Sequence, residues 1–495
     1  MTAPRPGASV LSIGPLRYRL PAGAWLTPAA AHYAISELWD RVSGGAPYNG
    51  PVRIEMTGTV GSPDLEALAV PTALLLADVL PPGAHLGIDA EALPVLFGEP
   101  SAPRPLEEGR LTLGPDLVAL TFFMLSRWEE TTEAAGDGAE RDERGRFPAQ
   151  QSVAFRAGFL DRPVVDEWAL VIRAWLRHLD PSWSPLPGVF RVHLTHDVDT
   201  LRRTGSVGEV ARTVAGALRR REWDDVVRQL RNGVAALSDW QRDAHVQGMR
   251  ELMDLSEAAG LPSAFYFKTS DRGPYDTGYR LGEGHNREVL AEVEARGHEV
   301  GWHPGYRTFD DPVMFDRELA RFEQAVGRRP SGGRQHNLRF QPSETWRRWA
   351  EAGLTYDSTV GYAERAGFRC GTSHPFRTFD LDGDRVLSLV EVPLVVMETT
   401  LFSPSYEGIE AGAALSRALE LAGRSQAVSG VFVLLWHNSS FEGSYRQWSR
   451  IYPELVRRLQ ALDETTGPTP LSAVARLAGT SREAAHAAVA TTTLP

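Results

Sequence analysis

One cysteine, Cys370, stands in 495 residues, so no disulfide can close within the chain. A fold stapled by disulfides is excluded. Long apolar runs are missing too. The most apolar stretch, LEALAVPTALLLADVL at 65–80, is broken by Glu66, Pro71 and Asp78, and a bilayer-spanning helix needs an uninterrupted run. The opening MTAPRPGASVLSIGPLRYRL holds no apolar core of signal-peptide length, so a cytoplasmic protein without a membrane span is expected. Positive charge is in deficit: 52 Lys and Arg against 63 Asp and Glu leave a net charge of −11. A general nucleic-acid binder would carry a basic face. No nucleic-acid partner is expected, while a neutral or cationic substrate stays open. Neither a fixed-period repeat nor a long low-complexity run is present.

What remains is the composition of a soluble globular protein, 42% hydrophobic and 23% charged, long enough for two or three domains with well-buried cores. The clearest seam is LDPSWSPLPG at 179–188, with three prolines and two serines. Residues 1–180 read as a separate, smaller α/β or α+β domain of unknown function, without a catalytic constellation. They end in an amphipathic helix from about Val164. Residues 464–495 read as an Ala/Thr-rich tail. Oligomeric state is not legible.

Between seam and tail, over 188–463, strand and helix patterns alternate. Apolar strands are expected at 189–195, 263–268, 298–303, 390–396 and 431–436, and helices at 285–296, 312–326, 343–352, 410–423 and 450–462. Such alternation favours a parallel sheet, open or closed into a barrel. Chemistry in these folds sits at the C-terminal strand ends.

Those ends are where polar residues collect. RVHLTHDVDT at 191–200 puts His193, Thr195, Asp197 and Asp199 on one face if the strand persists, with His196 interrupting the apolar face opposite. Two carboxylates this close repel unless a cation or proton separates them. One can then ligate a metal while the other serves as base; the plainer alternative is an Asx turn or helix cap. GHEVGWHPGY ends a strand at His303, and VFVLLWHNSS ends one at His437. Nine of the thirteen histidines fall between 193 and 437, and three close apolar strands. In SGGRQHNLRF, Gly332 and Gly333 permit tight turns before Arg334 and His336. An arginine there can orient a catalytic aspartate or simply lie on the surface.

In this order the motifs resemble the polysaccharide deacetylase family (the NodB-homology or carbohydrate esterase 4 group) over roughly 188–445. The subgroup it resembles is bacterial, with an uncharacterised N-terminal domain. The resemblance implies a distorted (β/α) barrel, a divalent metal such as zinc, and removal of N- or O-acetyl groups from a carbohydrate. By the same resemblance Asp197 is the base, Asp199 a metal ligand, His303 a second ligand, Arg334 the residue orienting Asp197, and His437 the general acid. The family's second metal histidine, four residues after the first, is here Arg307. His336 is the candidate for the missing ligand, with His196 behind it. Trp302, Tyr306 and Arg307 are the candidate substrate-binding residues. Asp357, Arg369 and His374, in the familiar strings YDSTVGY and GFRCGTSHPF, read as loop-stabilising hydrogen-bonders. The segment 200–261, with its amphipathic LRRREWDDVVRQL, reads as a solvated helix face or a lid. Two other functions are compatible with these residues: hydrolysis of a cyclic amide or imide on the same scaffold, and a non-catalytic glycan-binding module that has lost its metal.

Overall fold

The computed structural model describes residues 9–131, 141–221, 223–442, 445–465 and 467–479. Strands β1 (Ser9–Ile13), β2 (Leu16–Leu20), β3 (Arg53–Thr57), β6 (Arg104–Pro105) and β7 (Arg110–Thr112) form one sheet in the order β1-β2-β3-β7-β6. A separate hairpin pairs β4 (Thr72–Leu75) with β5 (Ala92–Val95). Helices α1 (Pro28–Ser43), α2 (Leu117–Ser126) and α3 (Val164–Leu179) carry the apolar side chains of this part.

The second sheet has nine strands in the order β13-β14-β12-β11-β10-β9-β8-β16-β15. They are β8 (Arg191–Val198), β9 (Ser263–Phe267), β10 (Glu299–Trp302), β11 (Gly332–Gly333), β12 (Tyr356–Asp357), β13 (Phe376–Asp380), β14 (Arg385–Glu391), β15 (Val396–Met397) and β16 (Val431–Leu435). Every pairing is parallel except β13 with β14. The five expected helices lie at Gly284–Ala295, Pro312–Val326, Glu344–Glu351, Ala411–Ala427 and Tyr452–Leu462. The C-terminal ends of the parallel strands therefore converge on one rim.

No ladder among the described residues joins β13 to β15, so the sheet has two edges where a closed barrel would have none. The reason is local. The chain doubles back from β13 into β14, and helices of the first 180 residues cover the edge that results, as exposed sheet edges require. The Phe379 ring lies 5.1 Å from Tyr33 and 5.2 Å from Phe122, and Tyr33 donates to the Arg377 carbonyl at 2.7 Å. One continuous apolar core runs from Ile13 to Leu459 across both sheets.

Buried charges tie the two parts together. Arg127 pairs with Glu129 at 2.6 Å and Glu130 at 2.8 Å, and Arg369 pairs with Glu130 at 2.6 Å, all with side chains at most 2% exposed. Arg41 donates to Asp166 at 2.9 Å and to Thr372 at 3.3 Å. Arg369 and His374 thus brace loops. His374 bonds the Val428 carbonyl at 2.9 Å. Asp357 is buried opposite Glu391 in the ladder, and burial pushes its carboxyl up to about 7.

Gly332 and Gly333 form strand rather than the tight turn expected of them. Their backbone lies so close to its neighbours that a Cβ on Gly333 would fall 1.8 Å from the Trp302 carbonyl oxygen. The segment after β8 keeps a solvated face, with Arg219 and Arg221 exposed. Helices α4 (Val207–Arg220) and α5 (Trp223–Ser238) pack together through small residues, with Val210 against Gly233 and with Ala217 and Ala236 buried. Val207, Leu218, Trp223, Val227, Leu230, Val234 and Leu237 are left exposed. In the C-terminal region a helix covers 471–479, and 480–495 lie outside the described residues.

His193 and His196, on β8, are buried, and burial lowers both imidazoles to about 3. The unfolded chain takes up these protons near the ordinary value of 6.5, whereas the folded chain resists them. Their contribution is therefore present above 6.5 and is lost as pH falls toward 3. By linkage each removes about 2 kcal/mol of stability by pH 5. Urea unfolding at pH 7 and pH 5 should show that loss, reduced by roughly half in His196→Gln; a midpoint unmoved by pH would refute the assignment.

Candidate metal centre

Strand β8 lies between β9 and β16 and delivers Asp197 to the rim as its last inward-facing residue, followed at once by Asp199. Asp197 is buried, and its Oδ1 accepts from Arg334 Nη1 at 2.9 Å. Arg334 is fully buried and fully engaged. Its Nη1 also donates to Thr195 Oγ1 at 3.0 Å, Nε to the Ser358 carbonyl at 2.8 Å and Nη2 to Ser358 Oγ at 3.0 Å, and the guanidinium lies 5.2 Å from the Tyr266 ring centre. The arginine is locked, so Asp197 Oδ1 is fixed and Oδ2 is left to the pocket.

Asp199 meets two histidines. Its Oδ1 lies 3.3 Å from His303 Nε2 and 3.1 Å from His336 Nε2. The ligating atoms of Asp199, His303 and His336 all fall within 4.8 Å of one another. His303 Nδ1 is committed to the Arg334 carbonyl at 2.6 Å, which orients its Nε2 lone pair toward Asp199 as an outer partner of a ligating histidine does. His336 Nδ1 lies 3.0 Å from Asp276 Oδ1 and 3.1 Å from Lys268 Nζ, and its Nε2 is shared between Asp199 and Lys268 Nζ at 3.3 Å. Asp199 Oδ1 and His303 Nε2 are buried and make no hydrogen bond. Two unbridged polar atoms in van der Waals reach, within an O,N,N donor set, suit a divalent cation of the zinc type. The residues present fit the metal.

His336 reaches this cluster through an unusual turn. Asn337 and Leu338, just after it, both adopt left-handed backbone, with φ 59° and 53°. A bulky leucine there is strained and needs its surroundings to hold it. The hold comes from the first part of the chain: Arg144 donates to Asn337 Oδ1 at 3.2 Å and Arg146 to the Asn337 carbonyl at 3.1 Å.

His437 caps β16. Its Nδ1 and its backbone N–H both meet Glu398 Oε1, at 2.7 and 2.8 Å, and its Nε2 lies 3.7 Å from Asp199 Oδ2. Burial opposes charge on this imidazole, but the Glu398 carboxylate outweighs it and raises the group to about 10. Asp199 is half-buried, and His336 and Lys268 beside it outweigh that partial desolvation and hold its carboxyl well below the usual range.

Asp197, Asp199, His303, His336 and His437 thus line one pocket of about 180 Å³. His196 is turned away: its Nδ1 is 2.8 Å from the Trp436 carbonyl and its ring packs on Phe265 at 4.6 Å. Strand alternation puts it on the opposite face from Asp197, so it is not a ligand. Trp302, Tyr306 and Arg307 do not line the pocket. Trp302 is core, with Nε1 donating to Thr269 Oγ1 at 3.1 Å. Tyr306 stacks on Tyr275 at 4.2 Å, and Arg307 points to solvent, 70% exposed, with Asp311 at 3.8 Å. The Pro304-Gly305 turn after His303 carries both outward.

Other site residues went unread. Lys268, at the end of the apolar SAFYFK strand, places Nζ 2.6 Å from Asp276 and 3.6 Å from Asp199. A charge closing an apolar strand was the available signal, the same one that marks His303. Glu398 lies in the EVPLVVMETTL string. Asp276, Arg144 and Arg146 sit in loops with no pattern to single them out. A larger cleft of about 500 Å³, lined in part by Arg272, Arg280, Arg287 and Arg321, contains none of the metal-ligating trio.

Residues 61–181 match the model of a family of unknown function, DUF7033. No curated protein matches the chain. Among solved structures, a Mycobacterium smegmatis protein whose polysaccharide deacetylase role is itself inferred is 20% identical, with a TM-score of 0.39, over 60% of this chain and 92% of that one. The polysaccharide deacetylase Bc1974 from Bacillus cereus is 12% identical, with a TM-score of 0.26, over 55% and 87%. A GH57 branching enzyme from the hyperthermophilic archaeon Thermococcus kodakaraensis is 13% identical, with a TM-score of 0.30, over 57% and 70%.

Proposed function

We propose that the chain is a metal-dependent hydrolase that removes acetyl groups, N- or O-linked, from a carbohydrate. One observation carries this reading: a carboxylate fixed by a buried arginine, an Asp-His-His cluster and a charged histidine line the same small pocket. Asp199, His303 and His336 would hold the cation. When bound, it supplies Lewis-acid polarisation of the scissile carbonyl and makes a nearby water more acidic.

The chain's own residues divide the proton work. Asp197 accepts the proton of the attacking water on Oδ2, because Oδ1 is committed to Arg334. His437 enters protonated, since Glu398 raises it to about 10. With Nδ1 held by Glu398, it presents Nε2–H to the pocket and donates that proton to the departing amine or alkoxide. Lys268 and Asp276 hold His336 in place, the ammonium lying 3.1 Å from Nδ1 and 3.3 Å from Nε2. Arg307, at the position of the resembled family's second metal histidine, lies outside the pocket, 70% exposed.

The test is acetate release from a panel of acetylated mono- and oligosaccharides, with small cyclic amides run alongside. Release should vanish on chelation and return with one equivalent of divalent cation, and Arg307→Ala should match wild type. Turnover that survives chelation, or turnover of cyclic amides alone, overturns the proposal.

A further inference from the structure

Building on the glycan-hydrolase reading, we propose that Arg144, backed by Arg146, gives the pocket an anion-recognising wall, so that the sugar it takes carries a carboxylate or a phosphate. Both arginines belong to the stretch matched by the family of unknown function, yet they line the same pocket as Asp199, His303 and His437. The N-terminal region thereby contributes a specificity element to a site whose reacting residues all come from the second sheet.

The charge count favours an anion. Asp197 and Asp199 are the only described carboxylates in the pocket wall. Asp197 is neutralised by Arg334, and Asp199 sits among His303, His336 and Lys268. Glu398 is taken by His437, and Asp142 by Arg146 at 2.6 Å. Arg144 is the cation left over. Its closest carboxylate among the described residues is Glu143, which is 85% exposed and 3.8 Å away, a pair worth little in water. The other described contacts of the Arg144 head are neutral, Asn337 Oδ1 at 3.2 Å and the Tyr406 hydroxyl at 3.4 Å, and its Nε is buried without a hydrogen bond. Arg146 turns Nη2 toward the same hydroxyl at 3.5 Å. Arg146 is occupied by Asp142 and the Asn337 carbonyl, so the donors left at this wall belong to Arg144, whose planar guanidinium suits a carboxylate or phosphate. The chain as a whole is strongly acidic and repels such a ligand at long range, so a local cationic wall is what would admit it.

The test uses the full chain, stripped of metal by chelation so that the anion cannot bind a metal ion, with the Arg144 variants reporting the arginine's share. Glucuronate, inorganic phosphate and glucose are titrated in separate calorimetric runs at low salt. At least one anion should bind saturably and glucose should not. Preference for glucuronate identifies a carboxylate-bearing sugar, and preference for phosphate a phosphorylated one. Arg144→Ala should weaken the anion by about tenfold or more, with Arg144→Lys in between because charge survives without the fork. Near-UV circular dichroism checks the fold, and Arg144→Gln substitutes if alanine disturbs it. No saturable anion binding by wild type, or unchanged binding in the folded variant, overturns the inference. Turnover is not measured, so this result and the hydrolase reading fail or stand separately.

Discussion

Asp197→Asn is expected to lower kcat by about 10²- to 10⁴-fold, the range a positioned general base supplies, with little change in fold. The asparagine oxygen can still accept from Arg334 Nη1, which now sits 2.9 Å from Asp197 Oδ1. What disappears is the group that takes the proton. Arg334 also keeps Thr195 and Ser358 as acceptors, so the buried guanidinium is not abandoned. Removing its countercharge should lower stability by about 1–3 kcal/mol. Steady-state kinetics beside urea unfolding checks both. A variant that retains more than a tenth of wild-type kcat means that Asp197 is not the base.

Glu130→Gln should be the most damaging change outside the pocket. Glu130 is fully buried and pairs with Arg127 at 2.8 Å and Arg369 at 2.6 Å, bridging the first 180 residues to the loop before β13. Burial works against its charge, yet the two arginines hold the carboxyl below its ordinary range, so the pair interactions prevail. Glutamine leaves buried Arg127 with Glu129 as its remaining carboxylate and takes from buried Arg369 its ion-pair partner Glu130. Breaking a buried network in this way costs about 3–5 kcal/mol. A denaturant midpoint shift equivalent to less than 1 kcal/mol would mean that the network is not what joins the two parts.

The sequence disclosed the part of the site built on long strands. Apolar runs ending in Asp197, His303 and His437 could be read because strand period and strand ends are local properties. The five helices expected after the seam followed from their period for the same reason. His336 was harder, since its aim depends on two left-handed residues and on arginines nearly two hundred positions upstream. No window of sequence contains that contact. Tyr306 and Arg307 misled through adjacency: neighbouring His303 in sequence, they are turned outward by the Pro304-Gly305 bend. Gly332 and Gly333 misled because crowding between parallel strands and a tight turn both call for glycine, and only the neighbours decide between them. The open edge at β13 was equally hidden, since what covers it comes from the other end of the chain.

Asp199, His303 and His336 should together make one divalent-cation site. Calorimetric titration of chelated full-length protein with Zn²⁺ tests it most directly, in wild type, His336→Ala and Arg307→Ala. Wild-type protein should bind one Zn²⁺ per chain, Arg307→Ala should bind it with unchanged affinity, and His336→Ala should bind it about 100-fold or more weakly, since the second histidine would be gone. Wild-type protein that takes up no zinc, or His336→Ala protein that binds it as tightly as wild type, would contradict the account.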